Sequence, residues 1–254
     1  MISRRAIMLT GAALIMAGCG QTATETPEMV IDTPADALAG VAGKRVLFAH
    51  QSVGSNILEG AALLSADNGA ALNVVETAAP PEIGAGLYHF YVGENGAPEG
   101  KIEHFDRVLT DAKTHSVDVA LLKLCYVDIT SGSDAERIAA KYISTYDALK
   151  TKRPEVQFVA VTCPLTAIRT GPKESLKNMI GRGSPDAVDN ERRTRFNELV
   201  RAHFPADRLF DLAAAEATAT PPSLAAKFTN DGGHLNEIGQ RRVAAEFLRA
   251  IARA

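Results

Sequence analysis

Arg45-Val46-Leu47-Phe48-Ala49-His50-Gln51-Ser52-Val53-Gly54 is the stretch on which the fold turns. Its first five residues are a short, mostly apolar run, as in a parallel strand covered on both faces. A helical pattern follows, with Ile57, Leu58, Ala61, Leu63 and Leu64 spaced through residues 53–65. A strand that runs directly into a helix is the opening unit of an alternating chain. The alternation continues downstream. Residues 72–76 (LNVVE) read as a second strand, and 78–100 as a long Gly/Pro-rich connection. Helical spacing returns at 102–112, with Phe105, Val108 and Leu109 on one face. Residues 117–124 (VDVALLKL) are the strongest strand signal, followed by a helix over 135–151. A strand at 156–163 stops at Pro164, a helix spans 190–203, a short strand 209–212, and a helix over 236–254 closes the chain. This order predicts a three-layer α/β/α sandwich around a parallel sheet of about five strands.

Residues 44–254 have the size of one domain with a real core. The segment before them reads differently. Arg4-Arg5 precede an apolar run, 6–17, that is short for a membrane span. Met16-Ala17-Gly18-Cys19 resembles a bacterial lipobox, so residues 1–18 are expected to be a signal peptide and Cys19 to carry lipid. Ser3-Arg4-Arg5 also resembles a twin-arginine export signal. Residues 19–43, rich in Thr, Pro, Ala and Glu, are read as a flexible tether. The expected location is the periplasm or cell surface, with the membrane as a partner through Cys19. Net charge is −3, and no basic patch is interleaved with aromatics, which argues against nucleic acid. Cys125 and Cys163 end predicted strands and read as buried thiols or a disulfide. No Cys/His spacing fits a structural metal, and no phosphate loop follows the first strand, so no metal and no cofactor are expected.

In parallel sheets the site lies outside the carboxyl ends of the strands. Ser52, the 93–100 loop, Cys125-Tyr126, Thr162-Cys163 and Asn230-Asp231-Gly232-Gly233-His234-Leu235-Asn236 all fall there. Asp231 and His234, three residues apart across two glycines, form half of a nucleophilic constellation. Ser52, between strand and helix, is the candidate nucleophile that His234 would activate. Ser52 as a helix cap and Asp-Gly-Gly as an ordinary turn are the plainer readings of the same residues. His50 reads as a hydrogen-bonded strand-end histidine. Lys123, in an apolar run, needs an acid such as Asp128. Arg192 and Arg193 start a helix and read as solvated, or as an anion site.

In order and spacing, the chain resembles the SGNH/GDSL hydrolases over most of residues 44–254. Ser52 matches the family serine after the first strand, and Asp231-x-x-His234 with Leu235-Asn236 and Gly239 matches the block before the last helix. The resemblance implies a flavodoxin-like sandwich and a Ser52–His234–Asp231 triad. The family's Gly-Asp-Ser reads His50-Gln51-Ser52 here. Its Gly-x-Asn-Asp falls on Cys125-Tyr126-Val127-Asp128, so the Asn that donates to the oxyanion is absent. Substitutes are sought in Gly93, Asn95, Gly96 and Tyr126: backbone N–H groups, an amide and a phenol. The implied activity is that of a serine ester hydrolase acting on short acyl esters, such as O-acetyl groups of glycans. An acyltransferase and a non-catalytic glycan-binding protein of the envelope are the other readings. The sequence leaves the oligomeric state undetermined.

Overall fold

The computed structural model describes residues 35–77, 84–111, 116–169, 179–180, 185–217 and 220–254. The expected signal peptide, Cys19 and residues 20–34 of the expected tether lie outside them. The elements are α1 (Ala35–Ala42), β1 (Arg45–His50), α2 (Ser52–Asp67), β2 (Val74–Glu76), β3 (Gly86–Tyr91), α3 (Pro98–Thr110), β4 (Val119–Leu122), α4 (Ala135–Lys152), β5 (Gln157–Val161), α5 (Asp186–His203), β6 (Leu209–Phe210), α6 (Leu212–Glu216) and α7 (Glu237–Arg253). The strands form one sheet in the order β2-β3-β1-β4-β5-β6. Every pairing is parallel.

Strand alternation divides the core into two layers. Val46, Phe48, Val119, Leu121, Val159 and Val161 point to one face, where they meet α1, α2, α6 and α7. Leu47, Ala49, Ala120, Leu122, Phe158 and Ala160 point to the other, against α3, α4 and α5. These strands are apolar on both faces, which is why each reads as a continuous hydrophobic run.

The sheet has six strands where the sequence suggests five. Gly86–Tyr91 (GLYHFY) pairs with β1 along its whole length, His50 opposite Tyr91. Its aromatic β-formers lie inside a Gly/Pro-rich stretch that reads as a loop. Residues 35–42, read from the sequence as part of a tether over 19–43, are instead a helix. It buries Ala37, Leu38 and Val41. α1 packs on α7, and Lys44 Nζ donates to the carbonyls of Ile251 (3.0 Å) and Ala252 (3.2 Å) at the end of α7. A short Ala-rich segment acquires its helix from that docking.

β1 has β3 on one side and β4 on the other, so the chain crosses in opposite directions from it. The carboxyl end of β1 is therefore the switch point of the sheet. Beside it, two tyrosines of α4 complete the strand hydrogen bonding. Tyr142 donates its hydroxyl to Leu122 C=O (2.9 Å) and accepts from Val161 N–H (3.0 Å). Tyr146 accepts from Leu122 N–H (2.9 Å) and donates to Val159 C=O (3.3 Å). Both side chains are buried. Tyr146→Phe leaves Leu122 N–H without a partner in the core. Urea unfolding is expected to show a loss of about 1–3 kcal/mol; a change below about 0.5 kcal/mol would contradict this role.

Candidate active site

Ser52 is the first residue of α2. Its own N–H, in the first turn, has no intrahelical acceptor. His234 lies in the loop that leads into α7, and its Nε2 is 3.0 Å from Ser52 Oγ. His234 Nδ1 is 2.7 Å from Asp231 Oδ2. The three side chains thus form a connected chain. Asp231 Oδ1 accepts the N–H groups of Gly233 (2.9 Å) and His234 (2.8 Å), and Thr229 Oγ1 lies 3.2 Å away. Those backbone donors, with the His234 ring, hold the Asp231 carboxyl well below the usual carboxylate range. An ionised Asp231 fixes the proton of His234 on Nδ1 and leaves Nε2 to accept from Ser52.

The two glycines of the loop are needed for different reasons. Gly232 has φ +93, a left-handed conformation that favours glycine. A Cβ at Gly233 would stand 2.8 Å from the Tyr126 phenol. Tyr126 packs edge-on against His234, ring centroids 5.9 Å apart. Asn56, one turn along α2 from Ser52, accepts Leu235 N–H at 3.2 Å and ties the histidine loop to α2. Asn236 caps α7 through Gly239 N–H (3.1 Å). Asp231 and His234 remain 58% and 41% exposed, so the site is a shallow surface cleft. A hollow of about 160 Å³ adjoins it, lined by Tyr126, Thr166, Arg169, Asp186, Asp231 and Gly233.

His50 does not face the cleft. It is fully buried, with Nδ1–H donating to Gln51 C=O (2.9 Å) and Nε2 accepting from His89 Nδ1 (3.0 Å). Burial lowers its pKa to about 3, which keeps the ring neutral. Gln51, which precedes Ser52, donates from its amide to the carbonyls of Val92 (3.0 Å) and Gly93 (2.9 Å). It fastens the 92–96 loop beside Ser52.

The oxyanion candidates do not stand alike. Gly93 N–H donates to His104 Nδ1 (3.0 Å), and Gly96 N–H to Asp128 Oδ1 (2.8 Å). Both glycine donors are turned inward, which removes them from the candidates. For Gly96 the acceptor belongs to a buried ion pair. Lys101 Nζ sits 2.7 Å from Asp128 Oδ2, and neither side chain is exposed. Asp128 also accepts Cys125 N–H at 2.6 Å, and Lys101 donates to Asn95 Oδ1 at 2.8 Å. The loop folds around this pair. Asn95 is exposed, with only its Oδ1 engaged among the described residues. The Tyr126 hydroxyl has no hydrogen-bond partner among the described residues. Val127, where the resemblance calls for Asn, is 37% exposed and has no side-chain donor. Ser52 N–H, the Asn95 amide and the Tyr126 phenol are the donors that remain.

Asp128 pairs with Lys101, not with Lys123. Lys123 Nζ instead lies 3.3 Å from Cys125 Sγ and is fully buried. Arg193 is not solvated. It is 2% exposed and donates to the carbonyls of Tyr126 (2.9 Å) and Ile129 (3.0 Å) and to Thr166 Oγ1 (2.9 Å), fixing the wall that carries Tyr126. Cys125 and Cys163 are free, buried thiols. Among the described residues, no group of three or more His, Cys, Asp or Glu could hold a metal ion. Sequence reasoning missed Gln51 and Asn56 and misread Arg193, which is structural. The first two carry a readable signal, standing one residue before Ser52 and one helical turn after it; the third carries none.

The fold is the flavodoxin-like α/β/α sandwich of the SGNH type. A Bacteroides fragilis protein provisionally named an acylhydrolase superimposes with TM-score 0.54 at 14% identity, over 88% of this chain and 97% of that one. A Streptococcus pneumoniae protein provisionally named a platelet activating factor gives TM-score 0.52 at 12% identity, over 85% and 89%. A GDSL-like lipase from Bacteroides thetaiotaomicron gives 0.47 at 12% identity, over 84% and 93%. No protein-family model and no curated protein sequence matches the chain.

Behind the site, Glu216 is buried and accepts Leu165 N–H. Burial raises its carboxyl to about 8, against the opposing pull of that N–H and of Lys123. The fold therefore prefers the protonated form. The stability this contributes is complete below the ordinary value of 4.5 and is lost as pH rises through 8. Glu216→Gln mimics the protonated acid. Its stability relative to wild type, followed by denaturant midpoints from pH 5 to 9, is expected to increase with pH. A difference that stays flat would contradict the assignment.

Proposed function

We propose that this chain is a serine ester hydrolase of the cell envelope, acting on short acyl esters, acetyl above all, carried by glycans or related alcohols. The observation that carries the reading is the continuous hydrogen-bonded chain from Ser52 Oγ through His234 to Asp231. His234 Nε2 takes the Ser52 proton as Oγ attacks the acyl carbonyl, and the same nitrogen returns it to the departing alcohol. Asp231 stabilises the imidazolium. Negative charge on the carbonyl oxygen develops at the first turn of α2, where the Ser52 N–H and the helix dipole favour it. Water then repeats the sequence on the acyl-enzyme and releases the acid. Transfer to a sugar hydroxyl instead of water uses the same steps.

The fold shared with a protein named an acylhydrolase supports the ester-hydrolase class. Export and lipid on Cys19 belong to the same proposal and rest on the sequence of residues 1–19. A second reading, a binding protein without turnover, is favoured by one observation: Val127 stands where an oxyanion donor is expected.

Assay of a 4-nitrophenyl acetate series separates the two. Ser52→Ala and His234→Ala are each expected to lower kcat by about 10⁴-fold or more, and the double variant no further, because the two groups act as a unit. Asn95→Ala or Tyr126→Phe, whichever removes the second donor, is expected to lower kcat about a hundredfold with KM little changed. Wild-type turnover in Ser52→Ala would overturn the nucleophile. Absence of any turnover in the wild-type protein would favour the binding reading.

A further inference from the structure

We propose that the exposed face of α2 is an extended subsite for the glycan that bears the ester, with Tyr91 as the platform for a sugar ring. The inference rests on the reading of Ser52 as nucleophile and specifies what lies beyond the scissile bond. Ser52, Ser55, Asn56 and Glu59 follow the spacing i, i+3, i+4, i+7, so they form one stripe down the helix. Ser52, Ser55 and Asn56 are half-buried, and Glu59 is exposed. The stripe starts at the nucleophile and is polar throughout.

Both sides of the stripe are built. On the β3 side, the Tyr91 hydroxyl lies 3.2 Å from Ser55 Oγ. The Tyr91 ring makes edge contacts with His50 (centroids 5.3 Å) and His89 (6.4 Å). Although so held, Tyr91 is 47% exposed, the one aromatic among the exposed large hydrophobic residues described. Its hydroxyl thus meets Ser55, one helical turn from Ser52, while nearly half of the residue stays open to water. On the α7 side, Gln240 Nε2 donates to Glu59 Oε2 (2.7 Å), and Asn56 Nδ2 reaches the same oxygen (3.3 Å).

The chemistry of these walls selects an occupant. A pyranose presents an apolar C–H face and a rim of hydroxyls. An aromatic ring receives the face, and hydroxyl, amide and carboxylate side chains receive the rim. An alkyl chain laid on this stripe would strip water from the Glu59 carboxylate and from the hydroxyls and amides beside it and offer no hydrogen bonds in return, at a cost. The shallow cleft likewise suits a polymer lying across the surface more than an acyl chain entering a tunnel.

The test compares kcat/KM on acetylated cellotetraose, 4-nitrophenyl acetate and tributyrin, in the full chain. Tyr91→Ala is expected to lower the tetrasaccharide-to-nitrophenyl ratio about tenfold, mainly through the tetrasaccharide KM, as for loss of a stacking contact near 1.4 kcal/mol. Tyr91→Phe, which keeps the ring, is expected to restore most of the ratio. Ser52→Ala is measured alongside. If Ser52→Ala is inactive and Tyr91→Ala leaves the ratio within about twofold, the subsite falls and the nucleophile stands. If Ser52→Ala keeps wild-type turnover, the nucleophile reading itself falls. A wild-type preference for tributyrin over the tetrasaccharide would also overturn the subsite.

Discussion

The close packing of α2 against α7 fixes the relation on which the site depends. Both helices begin at the carboxyl edge of the sheet, one with Ser52 and the other just after His234. Their distance is set in the core. A Cβ at Gly60 would fall 2.2 Å from the carbonyl oxygen of Gln240, so the absence of a side chain there lets the backbones meet. Asn56 adds a tie near the top, from α2 to the Leu235 N–H. Helix packing thus sets the approach of the two elements, and the Asp231–His234 loop, held by its own backbone hydrogen bonds, aims the ring at Ser52.

The second organising feature is electrostatic. Lys101 and Asp128 form an ion pair from which water is excluded, and such pairs are tolerated only when the remaining donors and acceptors find partners. Asp128 finds Gly96 N–H and Cys125 N–H; Lys101 finds Asn95. The loop beside the nucleophile is drawn inward by these bonds and by Gln51, whose amide holds two of its carbonyls. The oxyanion site is left with Ser52 N–H and with side chains in place of glycine amides. Arg193 does the same for the opposite wall, holding the backbone that carries Tyr126.

Much of this was legible in the residues, for physical reasons. Buried parallel strands must be apolar on both faces, so β1, β4 and β5 stand out as runs. An Asp-Gly-Gly-His loop before a helix marks its own geometry, because each glycine answers a local steric demand. The strand Gly86–Tyr91 was hidden because its neighbours are turn-formers and its pairing with β1 is nonlocal. Helix α1 was hidden because eight residues of modest propensity fold only against α7. The inward turn of the Gly93 and Gly96 amides could not be read at all. It depends on His104 reaching the Gly93 N–H from α3, and on Lys101 and Asp128, 27 residues apart, meeting in the interior beneath Gly96.

The central claim is that Ser52 is a nucleophile activated by His234. Intact-mass and peptide mass spectrometry after treatment with a fluorophosphonate tests it most directly, because the reagent reports the activated hydroxyl without reference to any substrate. The account predicts a single adduct on Ser52 that is absent in His234→Ala. No adduct, or an adduct on another residue with Ser52 unmodified, would contradict it.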